Sequence, residues 1–384
     1  MTLCYQVDEK HELIRKAVRE FAETVIKPVA GELEEKEEFS VQLTQQMGQV
    51  GLFGMVIPEK YGGQGLDHIS YIIAVEEIAR VDGSQAATVA ACNSLGINPI
   101  YYFGSEEQRR EYLPDLCRGR TLMAFGLTEP NAGSDAGATR TTAFSDGDGW
   151  VINGRKILIT NADTPISKGT IVQAVTGVRA DGRPEYTCFI VENGTPGFTT
   201  NTLKRKLMWR ASNTAELFFD GCRVPHGAIL GSPGDGFKQM LATLEGGRLS
   251  IAAMGLGCAQ GAYEASLEYS KERTQFGRPI SKQQVIAFKL ADMAMKIELA
   301  RNLLYKACWL CENGRPFGTE AAMSKLYCSE IAREVADEAV QIHGGYGLLK
   351  DYVVERFYRD QRLLQIGEGT SEVLRLVISR AIGC

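Results

Sequence analysis

Phe125-Gly126-Leu127-Thr128-Glu129-Pro130-Asn131-Ala132-Gly133-Ser134-Asp135 is where the chain changes texture. Before it, Leu13, Ile14, Val18, Phe21, Ala22, Val25 and Ile26 recur at helical spacing with charges between them, the pattern of an amphipathic helix. Ser105-Glu106-Glu107-Gln108 reads as a capping box opening another helix. The glycine-rich run from Pro58 to Gly65 reads as a loop. After the stretch, short β-rich runs alternate with turn signals. Arg140 to Phe144, Trp150 to Ile152, Thr170 to Val178, Tyr186 to Val191 and Ala215 to Phe219 are the runs, and Asp146-Gly147-Asp148-Gly149 and Ala180-Asp181-Gly182-Arg183-Pro184 are the turns. Strands so short and so spaced indicate a small β-barrel or sandwich. From about residue 236 helical periodicity returns. Val285, Ile286, Phe288, Leu290, Met293, Ile297, Ala300, Leu303 and Leu304 mark a long helix, and Ser281-x-x-Gln284 predicts a capping box at its start. Long helices with short connections suggest a bundle.

The expectation is a multi-domain α and β chain: an N-terminal helical domain over 1–120, a β-barrel over 121–235 and a helical bundle over 236–384. Its 384 residues exceed one simple core. A net charge of −5 provides no basic footprint for nucleic acid. No apolar run reaches the length of a membrane span. Met1 to Glu9 has neither the basic nor the apolar region of a secretory signal. The ten cysteines are scattered without a disulfide-scaffold spacing, which predicts a reducing, cytoplasmic compartment. Cys308-Trp309-Leu310-Cys311 lies inside a helical pattern and reads as a packing pair. The four histidines are far apart, and no metal site is expected.

Near the C-terminus, Glu368 stands between Gly367 and Gly369, just ahead of a helical segment. An isolated Gly-Glu-Gly is most simply a surface turn. Further stretches change that reading: Lys156-Ile157-Leu158-Ile159-Thr160-Asn161-Ala162, Glu272-Arg273-Thr274-Gln275-Phe276-Gly277, Gln341-Ile342-His343-Gly344-Gly345-Tyr346-Gly347 and Glu368-Gly369-Thr370-Ser371-Glu372. With the opening stretch, in this order and spacing, they resemble the acyl-CoA dehydrogenase family over essentially the whole chain, and its short-chain members most. The resemblance implies the acyl-CoA dehydrogenase fold, with a four-helix bundle as the last domain.

The resemblance also implies FAD as cofactor. It assigns to flavin binding Phe125, Leu127, Thr128, Gly133 and Ser134 from the first stretch, and Leu158 and Thr160 from the next strand. Arg273, Gln275, Phe276, Gln284, Gln341, Gly344, Gly345, Thr370 and Glu372 complete the set. Small-residue loops such as Thr128 to Ser134 can bring backbone N–H groups close to a polar cofactor. Arg273 alone would read as a helix-end charge, Gln284 as a capping residue and Gly344-Gly345 as a helix C-cap. Leu158 stands where the family often has Trp. For the substrate the resemblance implies Ser134, Glu245, Arg248, Gly367 and Gly369. Family members commonly carry Tyr at the position of Gly367, so a wider acyl pocket is expected.

Glu368 is implied as the base that removes the substrate α-proton. A thioester α-proton is weakly acidic, and a desolvated carboxylate is a stronger base. Some relatives carry the base directly before the arginine matching Arg248; here that residue is Gly247, so the rival position is empty. The implied reaction is acyl-CoA to trans-2-enoyl-CoA, with hydride passing to flavin N5. The implied partners are an electron-transferring flavoprotein and further copies of the chain, as a homotetramer. Alternatives are an acyl-carrier-protein thioester as substrate, an enoyl-CoA reductase running in reverse, or a non-catalytic scaffold.

Overall fold

The computed structural model describes residues 7–384. Met1 to Gln6, with Cys4 and most of the stretch read against a secretory signal, lie outside the described residues.

The helices are α1 (Glu9–Phe21), α2 (Lys27–Lys36), α3 (Val41–Gln49), α4 (His68–Ala79), α5 (Gly83–Ala91), α6 (Asn98–Phe103), α7 (Glu106–Cys117), α8 (Gly236–Glu272), α9 (Gln284–Glu312), α10 (Gly318–His343), α11 (Val354–Leu364) and α12 (Ser371–Ala381). The strands are β1 (Leu122–Gly126), β2 (Thr142–Ser145), β3 (Gly149–Thr160), β4 (Ser167–Val178), β5 (Pro184–Glu192), β6 (Phe198–Thr202), β7 (Thr214–Pro225) and β8 (Ile229–Leu230), followed by the hairpin β9 (Thr274–Gln275) and β10 (Arg278–Pro279).

Helix starts follow local chemistry. Ser105 and Gln108 form the expected capping box of α7. The one expected at Ser281 does not form: Ser281 lies in the 3-10 turn Ile280–Lys282, and α9 starts at Gln284 without a side-chain cap. Gln283 is extended at that point, and its Oε1 accepts from Arg278 of β10 at 2.9 Å. Cys308 and Cys311 sit on consecutive turns of α9, the first buried and the second partly so.

α4 is buried on every side, which in a helix marks the centre of a core. It carries two carboxylates, Glu76 and Glu77, each 1% exposed. Arg15 and Arg19 from α1, Arg80 at the end of α4, and Arg301 from α9 pair with them at 2.8 to 3.1 Å. A buried charge is tolerated only when so compensated. α8 passes between α4 and α10 at very close range. A Cβ on Gly257 would lie 2.2 Å from the Glu76 carbonyl oxygen, and one on Gly255 would lie 2.8 Å from that of Cys328. One apolar cluster therefore runs through the helices on both sides of the β region.

The strands form one eight-stranded sheet in the order β6-β7-β3-β2-β4-β5-β8, with β1 parallel to β4 off this path. It wraps a second cluster that includes Ile152, Val172, Phe189 and Leu217. β2 starts at Thr142 rather than at Arg140. The backbone N–H groups of Arg140 and Thr141 donate instead to the Glu129 carboxylate, at 2.8 and 2.9 Å.

Candidate active site

Segments from distant parts of the chain meet at Glu368. It lies in the turn between α11 and α12 and has φ +52°, the left-handed region that costs a non-glycine residue about 1 kcal/mol. Gly369 follows at φ +102°, an angle that glycine adopts without penalty. Thr370 then caps α12, its hydroxyl accepting from the Val373 N–H at 3.2 Å. The strained turn is clamped to α10. Lys325 Nζ donates to the Gly369 carbonyl at 2.6 Å. Gln365 and Ser371, on either side of the turn, donate to the two oxygens of Glu330 at 3.0 and 2.7 Å.

This backbone turns the Glu368 side chain onto α8. A Cβ on Gly247 would lie 1.9 Å from Glu368 Oε2, so the carboxylate occupies the space that glycine leaves open. Although the residue as a whole is half-buried, Oε2 is sealed from solvent and finds no hydrogen-bond partner among the described residues. Burial pushes the carboxyl up to about 7, against the pull of the Lys325 and Arg248 charges. The Glu368 backbone N–H also donates to no group among the described residues. Arg248 is 7% exposed with its Nε unpartnered, and burial holds its guanidinium below the usual value despite Glu245 and Glu368. Glu245 lies by the start of α10, 2.9 Å from where a Cβ of Gly318 would be. Tyr71 of α4 is the remaining titratable neighbour; burial first, then the Glu368 charge, raises its phenol. Such a carboxylate can take or release a proton near neutrality, beside a free N–H and two buried cations.

The small-residue loop lies at the end of β1. Phe125 is buried in that strand, Leu127 and Thr128 are half-buried, and Gly133 and Ser134 are exposed. Beneath the loop Lys156, wholly buried on β3, donates to the Leu127 carbonyl at 3.1 Å and to Glu129 at 2.8 Å. The Ile157 N–H donates to the Thr128 carbonyl at 2.9 Å, which ties loop to strand. The β3–β7 register then slips between Lys156 and Ile159. Leu158 rides on that bulge at φ +63° and is 63% exposed. The hydroxyls of Thr128, Ser134 and Thr160 have no partner among the described residues.

A third group surrounds the β9–β10 hairpin. Its turn, Phe276-Gly277, has positive φ at both residues and holds Phe276 95% exposed at the tip. Arg273, Gln275 and Phe276 face Gly344 and Gly345 across a cleft of about 590 Å³. The Arg273 guanidinium lies over the Tyr346 ring, 5.4 Å from its centre. Gly344 caps α10 at φ +60°. Gln284 and Gln341 are not on this wall; their neighbours Gln283 and Ile342 are. Glu372 is exposed in the first turn of α12. Sequence reasoning missed Lys325, Glu330, Tyr71, and the seat that Gly247 provides.

The family patterns for the N-terminal, middle and C-terminal domains of acyl-CoA dehydrogenases match residues 8–120, 124–222 and 234–383. The chain belongs to the acyl-CoA dehydrogenase family. It is 50% identical over 378 residues to the probable acyl-CoA dehydrogenase YngJ of Bacillus subtilis, covering 98% of this chain and 99% of that one. The structure of butyryl-CoA dehydrogenase from Megasphaera elsdenii superposes with a TM-score of 0.95 at 42% identity, covering 99% of both chains. An acyl-CoA dehydrogenase from Bacillus anthracis, solved with FAD, has a TM-score of 0.92 at 35% identity, covering 98% of this chain and 68% of that one. This dehydrogenase is thus an FAD-dependent oxidoreductase. Its residues fit the chemistry of the cofactor: the β region carries three hydroxyls unpartnered among the described residues and an exposed bulge at Leu158, and the separate cleft at Arg273 offers a cation. Among the described residues no group of three or more His, Cys, Asp or Glu side chains could hold a metal, and no helix is long and apolar enough to cross a membrane.

Proposed function

We propose that the chain dehydrogenates a short acyl-CoA thioester to its trans-2-enoyl form, with Glu368 as the base. The sealed, unpartnered Oε2 of Glu368 carries this reading. Its lone pair is free for the α-proton, and burial has already raised its proton affinity. The free Glu368 N–H is suited to donate to the thioester carbonyl as negative charge develops there. Arg248 adds a buried positive field. Ser134 and Glu245 are assigned to the CoA part. When bound, FAD supplies the acceptor for the hydride that leaves Cβ. Thr128, Thr160 and Leu158 hold the flavin end; Arg273, Gln275, Phe276 and the Gly344-Gly345 turn hold the pyrophosphate and adenylate of a neighbouring subunit's FAD. That assignment accounts for a phenylalanine left 95% exposed on a single chain and requires at least a dimer; the resemblance points to a homotetramer, whose mass sedimentation equilibrium would report. An electron-transferring flavoprotein is the proposed electron partner and the cytoplasm the proposed location. The nine described cysteines, all free, support a reducing compartment.

The test is anaerobic titration of the purified holoenzyme with a panel of acyl-CoA esters. Bleaching of the flavin absorbance by butyryl-CoA is expected; an unchanged spectrum with every ester would remove the reading.

Gly367 tunes the acyl group on this proposal. Its Cβ would meet Leu363 Cδ2 at 3.0 Å, so a larger side chain must push Leu363 aside or lean over it. Gly367→Tyr is expected to lose branched and aryl thioesters by at least about tenfold, the scale of a hydrophobic-pocket discrimination, while butyryl-CoA turnover survives. Equal loss across the panel would show that Gly367 serves backbone geometry instead.

A further inference from the structure

Lys325 lies about two turns into α10 and is fully buried. A buried lysine normally has a carboxylate beside it. Among the described residues this one has none within ion-pair distance; its hydrogen bond goes to the carbonyl of Gly369 at 2.6 Å. That carbonyl belongs to the residue after the acid, in a turn whose flanks are both fastened to Glu330 one turn further along α10. The acid that most influences Lys325 is Glu368 itself, ahead of Glu330 and Glu372.

We propose that Lys325 is a positioning residue for proton transfer at Glu368: through the Gly369 carbonyl it fixes the backbone of the base, and through its charge it favours the ionised carboxylate. The inference rests on the reading of Glu368 as the base. The other groups facing Glu368 are Arg248 on α8, itself next to Glu245, and Tyr71 on α4. All stay in place when Lys325 is changed. Burial brings the Lys325 ammonium down to about 8, so most of its charge is present at the midpoint of Glu368 ionisation, about 7, and fades above about 8. The sign follows. Proton abstraction needs the ionised acid, so the rate rises with pH through about 7. Without the neighbouring cation the acid holds its proton more tightly, and the rise moves to higher pH.

The experiment uses anaerobic stopped-flow reduction of the holoenzyme by butyryl-CoA across the neutral range, with FAD content measured for each variant. Lys325→Met keeps most of the length of the side chain and removes both donor and charge. Lys325→Gln keeps a donor without the charge, and Lys325→Arg keeps the charge. The Met and Gln variants are expected to retain FAD and to move the midpoint of the rate–pH curve upward by about one unit, the effect of one close opposite charge. That makes them about tenfold slower below the midpoint. The Arg variant is expected to keep the wild-type midpoint. A slower plateau in Met than in Gln would report the lost carbonyl contact. A wild-type midpoint in both Met and Gln, at any plateau rate, overturns the proposal, because a purely structural role would not move it. If the Met variant yields no FAD-bearing protein, the comparison of Gln with Arg decides by the same criterion. Glu368→Gln measured alongside separates the two ideas. If it reduces at the normal rate, the assignment of the base fails; if it is inert while the Lys325 midpoints stay fixed, only the role of Lys325 fails.

Discussion

Glu368→Gln is expected to keep FAD and ligand binding while slowing flavin reduction by about 10²- to 10⁴-fold, the usual contribution of a general base. The amide has the shape of the acid and fits the same space against Gly247. The turn that presents it is held by Lys325 and Glu330, neither of which bonds to the Glu368 side chain. Only the ability to accept the proton is removed. A second signature lies in stability. Burial raises the folded-state affinity of Glu368 from 4.5 to about 7. Its stabilising contribution is therefore full below the unfolded value and is lost as pH rises through about 7. Glutamine does not titrate, so the melting temperature of the variant should gain on that of the wild type between about pH 4.5 and about pH 7. Near-normal reduction by the variant would move the base elsewhere, and Glu245, one turn of α8 before Arg248, would be the first candidate.

Gly247→Ala should have a comparable functional effect with the acid untouched. The new methyl would lie 1.9 Å from Glu368 Oε2, far inside contact distance. The atom it meets is the end of a flexible side chain, so the helix need not move and the protein should fold and bind FAD normally. Alanine also suits a helix interior better than glycine by up to about 1 kcal/mol. What must yield is the carboxylate. A misplacement of about 1 Å can cost on the order of 10²-fold in rate, and a loss of that size in reduction by butyryl-CoA is expected without a fall in melting temperature. A wild-type rate would show that the resting position of the carboxylate against α8 is not the position from which it acts.

The two variants mark how far the sequence could be read. The order of helices, strands and helices followed from periodicity and turn residues alone, because each segment obeys the rule for its own type. Glu368 was singled out only because the stretches together resemble the family; its two glycines alone read as a surface turn. Gly247 was read only as the absence of a rival base; that it forms the seat of Glu368 depends on a contact between segments far apart in the chain. Lys325 escaped because a lysine inside a helical pattern ordinarily faces water. A signal was present nonetheless: it falls in the stripe of Ala321, Ala322, Ser324, Cys328 and Ala332, all buried. Lys156 hid in the same way within a strand. At two places a side chain redirected the backbone against local rules. Glu129 takes the N–H groups expected to start β2, and Arg278 engages Gln283 ahead of the long helix.

The charges inside α4 carry a consequence for how this sequence can drift. Glu76 and Glu77 are shared among Arg15, Arg19, Arg80 and Arg301, which come from several helices. Losing one member leaves buried charge less compensated, at a cost that reaches about 3 to 5 kcal/mol only where no other partner remains, whereas replacing acid and base together by apolar residues of similar volume can be nearly neutral. A lineage therefore reaches the second arrangement only by crossing the first. These positions should change as linked sets or not at all, and a double-mutant cycle on Glu76 and Arg301 would measure the barrier between the alternatives as a coupling energy.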